Sequence, residues 1–247
     1  RKYISTLKGG GLAKILYPAT VVSLIFSDVP GGDISSIASG PTFPPTSAVS
    51  DAEEIIKRYN LGSYLLTETK YDPVFFEKVH NILVSSNITA LKAMEDAATK
   101  RGYQATIVSA TKYSTIDETK DSLLAQPVLN SVQCMGGETK ITVPKGVSGS
   151  GGRNTHLCLS MLPSLEQNQI FVSVASDGKD NCNAAGAIVD HSTLVRAKEK
   201  GLDYLHYHDN FDSFNFFDQT GDLLHTELLE SNVADLIMLL TLEGNAL

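Results

Sequence analysis

The chain has 247 residues, which predicts one or two domains, and its 42% hydrophobic and 19% charged content is typical of a folded globular protein. The formal net charge of −8 argues against a nucleic-acid-binding protein, and no apolar stretch approaches the ~20 residues of a membrane helix. Three cysteines without a Cys-x-x-Cys pair indicate neither a disulfide framework nor a zinc ribbon, so we expect a reducing, cytoplasmic location.

The first half of the chain alternates apolar runs with helical periodicity. Residues 19–26 form a β-branched apolar run, which predicts a buried strand. Residues 50–53 match a capping box, which predicts a helix that continues to about Arg58. The next predicted elements are a strand at 81–86, an amphipathic helix at 89–101 and a strand at 105–109. This strand–helix–strand order predicts a parallel crossover unit.

The second half of the chain begins after a stretch of weak periodicity at residues 111–127. We place a domain boundary there, which gives domains at 1–125 and 126–247. Two strands are predicted around Gly136 and Gly137, which suits a hairpin. The other predicted elements are a glycine-rich loop at 146–152, helices at 154–162 and 192–200, a strand at 170–175, a loop with a short helix at 203–218, and a helix or strand at 232–242.

Three loops carry side chains that suit anions or metal ions. Asp28 follows a predicted strand, where ligands of α/β sheets bind, although a local turn explains it better. Arg153 follows the glycine-rich loop at a predicted helix start, where backbone N–H groups and a guanidinium suit an anion. A flexible linker explains this loop equally well. Asp177 and Asp180 could share Mg²⁺ with waters and phosphates, although an ordinary turn also explains them.

The histidines and cysteines carry weaker signals. The six histidines show no metalloprotease spacing, and the pair His206 and His208 is more typical of surface structure. Cys134 and Cys158 lie on predicted buried elements and are expected in the core. Cys182 has no predicted base beside it, which disfavours nucleophilic catalysis.

Short motifs follow one another across nearly the whole chain. In order they are Lys8-Gly9-Gly10, Ser27-Asp28-Val29-Pro30-Gly31 with Ser39-Gly40-Pro41-Thr42, Ser86-Asn87, Gly136-Gly137-Glu138-Thr139, Gly151-Gly152-Arg153-Asn154, Ser176-Asp177-Gly178 and Ala184-Ala185-Gly186-Ala187. This series resembles the type-II D-glycerate 2-kinases, a family whose C-terminal domain is called MOFRL. The resemblance implies a Rossmann-like first domain, partial in this chain, and a smaller α/β MOFRL domain.

The same resemblance implies an activity and a set of site residues. The expected reaction is ATP- and Mg²⁺-dependent phosphorylation of the 2-hydroxyl of D-glycerate. No nucleic-acid or membrane partner is expected. A homodimer is compatible with the sequence, because dimers are the commonest oligomers of soluble proteins. Arg153 and Asp177 are the expected catalytic residues, and Asp177 and Asp180 are expected to hold Mg²⁺. Further substrate or nucleotide contacts are expected from Lys8, Ser27, Asp28, Ser39, Gly151, Gly152, Asn154 and Asn232.

The chain also departs from the family pattern. Members begin before the block that matches Arg1, and that earlier part, with a glycine-rich loop and a catalytic lysine, is expected to lie outside this chain. Glu227 and Glu230 stand where the family has a small glycine-rich loop, and carboxylates repel phosphate. These differences leave open a kinase for a related hydroxy acid, or a binding protein without turnover. A hydroxypyruvate reductase is disfavoured because a dinucleotide-binding fingerprint is missing.

Overall fold

The computed structural model describes residues 1–29, 33–67, 71–125, 128–230 and 232–244. The chain divides into two compact units: unit 1 comprises residues 1–27 and 33–84, and unit 2 comprises residues 28–32 and 85–247. Both contain helices and strands, so the expected α/β class is confirmed. The predicted domain boundary between residues 125 and 126 lies inside unit 2 and stays a prediction.

Unit 1 is built on a two-stranded sheet of β1 (Val21–Phe26) and β2 (Val79–Ser85). Its helices are α1 (Gly11–Leu16) and α2 (Val49–Arg58), with 3-10 helices at Ile34–Ser39 and Pro73–Phe76. The predicted start of α2 needs correction. The backbone N–H of Ala48 donates to the carboxylate of Asp51 at 2.8 Å, so the cap lies two residues before the predicted one.

β1 is less buried than its apolar sequence predicts. Ile25 is buried, but the side chains of Val22, Leu24 and Phe26 are 58%, 63% and 56% exposed. Successive side chains of a strand point to opposite faces, and these three share one face. The prediction of a buried strand is therefore wrong for that face.

Unit 2 contains a six-stranded mixed sheet with helices packed against it. Its strands are β3 (Gln104–Thr115), β4 (Ser131–Lys140), β5 (Gln169–Ala175), β6 (Gly186–Asp190), β7 (Leu223–Leu224) and β8 (Asp235–Thr241). Its helices are α3 (Asn87–Lys100), α4 (Ile116–Leu124), α5 (Arg153–Met161), α6 (His191–Glu199), α7 (Tyr204–Asp209) and α8 (Ser213–Thr220). The strand order is β3-β4-β8-β5-β6-β7.

The strand pairings correct two sequence predictions. β3 and β4 pair in parallel with α4 between them in the chain, whereas β2 and β3 lie in different sheets, so the predicted crossover is wrong. The predicted hairpin around Gly136 and Gly137 is also wrong. β4 continues through both glycines because it is paired on both sides, with β3 and with antiparallel β8.

Helix α5 lies in the core of unit 2. Eight of its nine residues are buried, and its apolar side chains pack with Phe171, Phe216 and Phe217. A helix buried on all sides is an internal element, which fixes the position of its amino end. Cys134 and Cys158 are fully buried, as predicted, and the three cysteines are free. Among the described residues, no helix is long and apolar enough to span a membrane.

Candidate active site

A buried polar cluster lies at the amino end of α5. β4 and β5 run in the same direction on either side of β8, which runs the opposite way. The carboxyl end of β5 therefore lies beside the amino end of β8, where Ala175 pairs with Asp235. Ligands of open α/β sheets bind at such an edge, which makes this cluster the candidate site.

Asp180 is the anion bound at the start of α5. Its Oδ1 accepts from the backbone N–H and the side-chain amide of Asn154, at 3.0 and 3.1 Å. Its Oδ2 accepts from the backbone N–H and the hydroxyl of Thr155, at 2.7 and 3.0 Å. Helix N-termini attract negative charge, and Asp180 supplies that charge here. Both of its oxygens are thus engaged by the protein.

Arg153 is held by two carboxylates. Its Nε and Nη2 donate to Asp235 at 3.1 and 3.3 Å, and its Nη1 lies 3.4 Å from Glu138 Oε1. The side chain of Asp235 is 2% exposed, whereas that of Arg153 is 36% exposed. A guanidinium has five N–H donors, so these contacts leave two for a ligand.

Asn154 links the two buried aspartates. Its side-chain Nδ2 donates to Asp180 Oδ1 and to Asp235 Oδ1, at 3.1 and 3.0 Å. Its Oδ1 accepts from the hydroxyl of Ser173 at 2.5 Å, so each atom of the amide has a complementary partner. The amide thereby keeps two like charges apart while donating to both.

Burial sets the ionisation of this cluster. Burial raises the pKa of both Asp180 and Asp235. The hydrogen bonds from Asn154 act in the opposite direction, because they stabilise the charged carboxylates. Burial also works against the charge of Arg153, but the Asp235 and Glu138 carboxylates outweigh it, so the pKa of Arg153 lies above its usual value. Arg153 therefore remains a cation at any physiological pH.

Close backbone packing explains the glycines before α5. A Cβ on Gly152 would lie 1.7 Å from the carbonyl oxygen of Asp180, and one on Gly149 would lie 2.1 Å from that of Asn210. The backbone N–H of Ser150 donates to Asp212 at 2.8 Å. Two N–H groups of the predicted anion-binding loop, those of Ser150 and Gly152, thus donate within the protein, to Asp212 and Thr155.

Arg153 borders a cavity of about 280 Å³. Its lining includes Gly151, Gly152, His156 and Phe211. Ligand pockets begin at roughly 300 Å³, so this cavity suits a small molecule or one part of a larger one. The Arg153 side chain is part of its wall.

The Asp177 turn lies one loop away. Asp177 is half-buried, and its Oδ1 accepts from the backbone N–H of Lys179 at 3.0 Å. Its carbonyl oxygen accepts from the N–H of Leu229 at 2.9 Å. A Cβ on Gly178 would lie 2.4 Å from Thr226 Oγ1. The turn thus packs against the segment that carries Glu227 and Glu230.

Unit 1 brings two further predicted residues together. The N–H of Gly9 donates to the carbonyl oxygen of Ser39, and that of Gly10 to Gly40, both at 2.9 Å. Lys8 and Ser39 therefore lie on adjoining segments, and both are half-buried. Ser27 is buried in the same unit.

Comparison with known proteins follows the same division of the chain. The MOFRL family model matches residues 131–235, and a domain of unknown function, DUF4147, matches residues 1–70. A glycerate kinase of Macaca fascicularis is 31% identical over 95% of this chain and 76% of its own length. This chain belongs to the MOFRL family of glycerate kinases.

Other MOFRL relatives carry two kinds of name. A D-glycerate 2-kinase of Thermotoga maritima is 34% identical over 96% of this chain and 60% of its own length. A putative hydroxypyruvate reductase of Agrobacterium vitis is 33% identical over 96% of this chain and 58% of its own length. The crystal structure of a glycerate kinase from Thermotoga maritima superposes with a TM-score of 0.86 at 30% identity, over 98% of this chain and 62% of that one. The chain thus spans about three fifths of these three proteins.

Within this MOFRL chain, the predicted site residues lie in four places. Gly151, Gly152, Arg153, Asn154 and Asp180 meet at the amino end of α5, and Asp177 lies in the adjoining turn. Asn232 is exposed and caps the turn before β8, because its Oδ1 accepts from the N–H of Ala234 at 2.9 Å. Asp28 is exposed in unit 2, while Lys8, Ser27 and Ser39 belong to unit 1. Pro30, Gly31 and Gly32 of the Ser-Asp motif lie outside the described residues.

Sequence reasoning missed the residue that holds Arg153. Asp235 is the first residue of an apolar run within the segment predicted as helix or strand. No sequence motif around Asp235 indicates that its carboxylate binds Arg153. Asn87 was noted only as part of a motif. Its Nδ2 donates to the carbonyl oxygens of Val233 and Asp235, at 2.8 and 3.1 Å, so it fixes the chain entering β8.

Proposed function

We propose that the protein is a glycerate 2-kinase, which transfers the γ-phosphate of ATP to the 2-hydroxyl of D-glycerate and yields 2-phosphoglycerate. The observation that carries this proposal is the Arg153 guanidinium, fixed by Asp235 and Glu138 beside a small cavity, with two N–H groups to spare. Phosphoryl transfer depends on positioning and charge neutralisation more than on covalent chemistry. The names of the glycerate kinase relatives support glycerate as the acceptor of the phosphoryl group.

In this proposal Arg153 binds charge on the transferring phosphoryl group or on the glycerate carboxylate. Its two-point contact with Asp235 sets the guanidinium before any ligand arrives, so little reorganisation is needed during reaction. Asp235, Asn154 and Asp180 act as positioning residues, because their contacts are with Arg153 or with the first turn of α5.

The acidic residues present fit Mg²⁺ in part. Among the described residues, no group of three His, Cys, Asp or Glu side chains is placed to hold a metal ion. Asp180 is committed to α5, which leaves Asp177, whose carboxylate accepts from the N–H of Lys179, as the better ligand. Mg²⁺ typically takes one or two carboxylates and completes its shell with water and phosphate oxygens. When bound there, the ion would neutralise phosphate charge.

The cavity beside Arg153 fits glycerate or a phosphoryl group rather than a whole nucleotide. The rest of ATP therefore needs contacts outside this cavity. Lys8, Ser27, Asp28 and Ser39 stay the predicted nucleotide or substrate residues. A cytoplasmic location and a homodimer also stay predictions.

A second candidate function is a kinase for a related small hydroxy acid. The observation that favours it is the segment with Glu227 and Glu230, which packs against the Asp177 turn through the Leu229 N–H. Two carboxylates near the proposed metal ligand disfavour an additional negative charge on the substrate. This alternative keeps the same roles for Arg153 and Asp177.

The product identifies the reaction directly. The complete protein that contains these residues, with its mass verified, is incubated with ATP, MgCl₂ and D-glycerate and followed by ³¹P NMR. We expect 2-phosphoglycerate and ADP in equal amounts, and no phosphorylation of L-glycerate. Preferential phosphorylation of another 2-hydroxy acid would establish the second candidate. NADH oxidation by hydroxypyruvate without any phosphorylated product would overturn both.

A further inference from the structure

Unit 2 contains a second cavity besides the one that Arg153 borders. Its volume is about 520 Å³, and it shares His156 and Phe211 with the cavity beside Arg153. Its polar lining comes mostly from elsewhere in the unit, with Lys120 on α4, Lys140 at the end of β4 and His208 on α7. Neither Arg153 nor Asp177 lines it. The proposed transfer reaction therefore leaves this cavity without a role.

The charge of this cavity is opposite to that of the chain. The protein has a formal net charge of −8, yet two lysines and one carboxylate, Asp117, line this space. Within the described residues, neither Lys120 nor Lys140 forms an ion pair with a carboxylate. Lys120 donates to the carbonyl oxygen of Ser160 at 3.1 Å, and Lys140 lies 5.9 Å from the centre of the Tyr113 ring. Both ammonium groups thus have neutral neighbours, and an anion in the cavity would not compete with a carboxylate for them.

The wall of the cavity contains a buried polar atom without a partner. His156 is 4% exposed, and its Nδ1 makes no hydrogen bond within the described part of the chain. Its ring stacks on Phe211 at 4.4 Å and on His208 at 5.1 Å between centroids. The Nδ1 atom is itself enclosed, so His156 contributes its stacked ring to the wall of the cavity rather than a hydrogen-bonding atom.

The third basic group is fixed in orientation. His208 Nδ1 lies 3.1 Å from Asp209 Oδ1, and its Nε2 lies 3.3 Å from Ser160 Oγ. The same Ser160 provides the carbonyl oxygen that holds Lys120. Lys120 and His208 therefore converge on one residue of α5.

We propose that this cavity is a second binding site, which takes a phosphate-bearing small molecule with its phosphate held by Lys120 and Lys140, while the His208 ring forms part of the wall. Phosphate combines negative charge with several strong acceptor oxygens, which matches the ammonium donors. The site is distinct from the proposed transfer site, although His156 and Phe211 line both cavities. Its test does not require turnover.

Inorganic phosphate is the probe. It is titrated into the protein at pH 7 and constant ionic strength, and the histidine ring protons are followed by NMR, with signals assigned from single His→Gln variants. We expect a saturable shift of the His208 and His156 signals. Lys140→Gln should weaken the apparent affinity at least tenfold. Lys92→Gln removes the same charge from an exposed position of α3 and should titrate like the wild type.

Two results would overturn the proposal. One is the absence of a saturable shift, or identical titrations of Lys140→Gln and Lys92→Gln when both have the wild-type unfolding midpoint. The other is a shift that survives Lys140→Gln but disappears in Arg153→Gln, because phosphate would then bind at the proposed transfer site instead. A shift that is lost in Lys140→Gln and kept in Arg153→Gln supports the second site.

Discussion

At the scale of single residues, the amino end of α5 is organised around an internal anion. Four hydrogen bonds from Asn154 and Thr155 end on the Asp180 carboxylate. An external anion at this position would have to displace a buried side chain that is already tightly bound. The free donors of Arg153, rather than the helix N–H groups, are therefore the part of the cluster open to a ligand.

Asp180→Asn should destabilise unit 2 by about 1–3 kcal/mol, because the amide NH₂ would face donors of the first turn of α5 and leave them unpaired. The backbone amides of Asn154 and Thr155 should exchange with solvent faster than in the wild type. Urea unfolding and amide hydrogen exchange measure the two effects. Asp218→Asn, on the exposed side of α8, is the matched control. Unchanged exchange at both amides would show that Asp180 does not cap α5.

His156 makes the stability of unit 2 depend on pH. Burial, with a smaller effect of His208, lowers the pKa of His156 to about 4, below the ordinary value of 6.5. The folded state thus binds fewer protons than the unfolded state between these values, so stability is complete above pH 6.5 and falls as the pH drops towards 4. The loss should amount to about 3 kcal/mol, and His156→Phe should abolish it.

Urea unfolding of the wild type and of His156→Phe between pH 4 and 7 tests this pH dependence. His206→Phe, at an exposed position, should keep the full pH dependence, and the same slope in both variants would contradict the assignment.

At the scale of elements, Gly136 in β4 serves a contact rather than a turn. A Cβ on Gly136 would lie 1.8 Å from Asn87 Oδ1, a buried side chain whose amide holds the chain entering β8. Gly136 pairs with Leu236, so the glycine lets α3, β4 and β8 approach one another beside the residue that follows Asp235. This approach helps place the carboxylate that holds Arg153.

Gly136→Ala should therefore destabilise unit 2 by about 1–3 kcal/mol or more, as expected for overpacking against a fixed polar group. Urea unfolding measures the change. Gly244→Ala, where a Cβ meets nothing within 4 Å, is the control and should leave the midpoint unchanged. Equal midpoints for the two variants would mean that Asn87 moves aside at little cost.

Elements with a clear local pattern were predictable from the sequence. α3, α5 and β5 lie within a few residues of their predicted bounds. α4 was missed although Thr115 and Glu118 form a capping box, since the stretch around it lacked periodicity. The hairpin prediction failed because glycine signals a turn and close packing equally, and only the tertiary contact with Asn87 distinguishes the two.

The candidate site was predictable only in part for a similar reason. The residues around Arg153 and Asp180 were found because they lie in short motifs with glycine neighbours. Asp235 is 82 positions from Arg153, and no local pattern connects them. The commitment of Asp180 to α5 likewise depends on a fold-level contact, since Asp177 and Asp180 look equivalent in the sequence.

At the scale of the whole molecule, unit 2 presents basic side chains to two cavities in an acidic protein. Arg153 borders one cavity, and Lys120 and Lys140 line another. The proposed kinase reaction gives a role to the first. The second gives the MOFRL part of the chain an additional proposed function as a phosphate-binding module.

Activity of the complete protein tests the central claim most directly. The measurement is kcat/KM for D-glycerate at saturating MgATP in wild type, Arg153→Lys and Arg58→Lys, the last of which makes the same change at an exposed ion pair with Glu54. A lysine cannot reproduce the side-on contact with Asp235 together with free N–H groups. Arg153→Lys should therefore lower kcat/KM about 10²–10³-fold, while Arg58→Lys stays at the wild-type value. Equal kcat/KM in all three proteins would contradict the assignment of phosphoryl transfer to the amino end of α5.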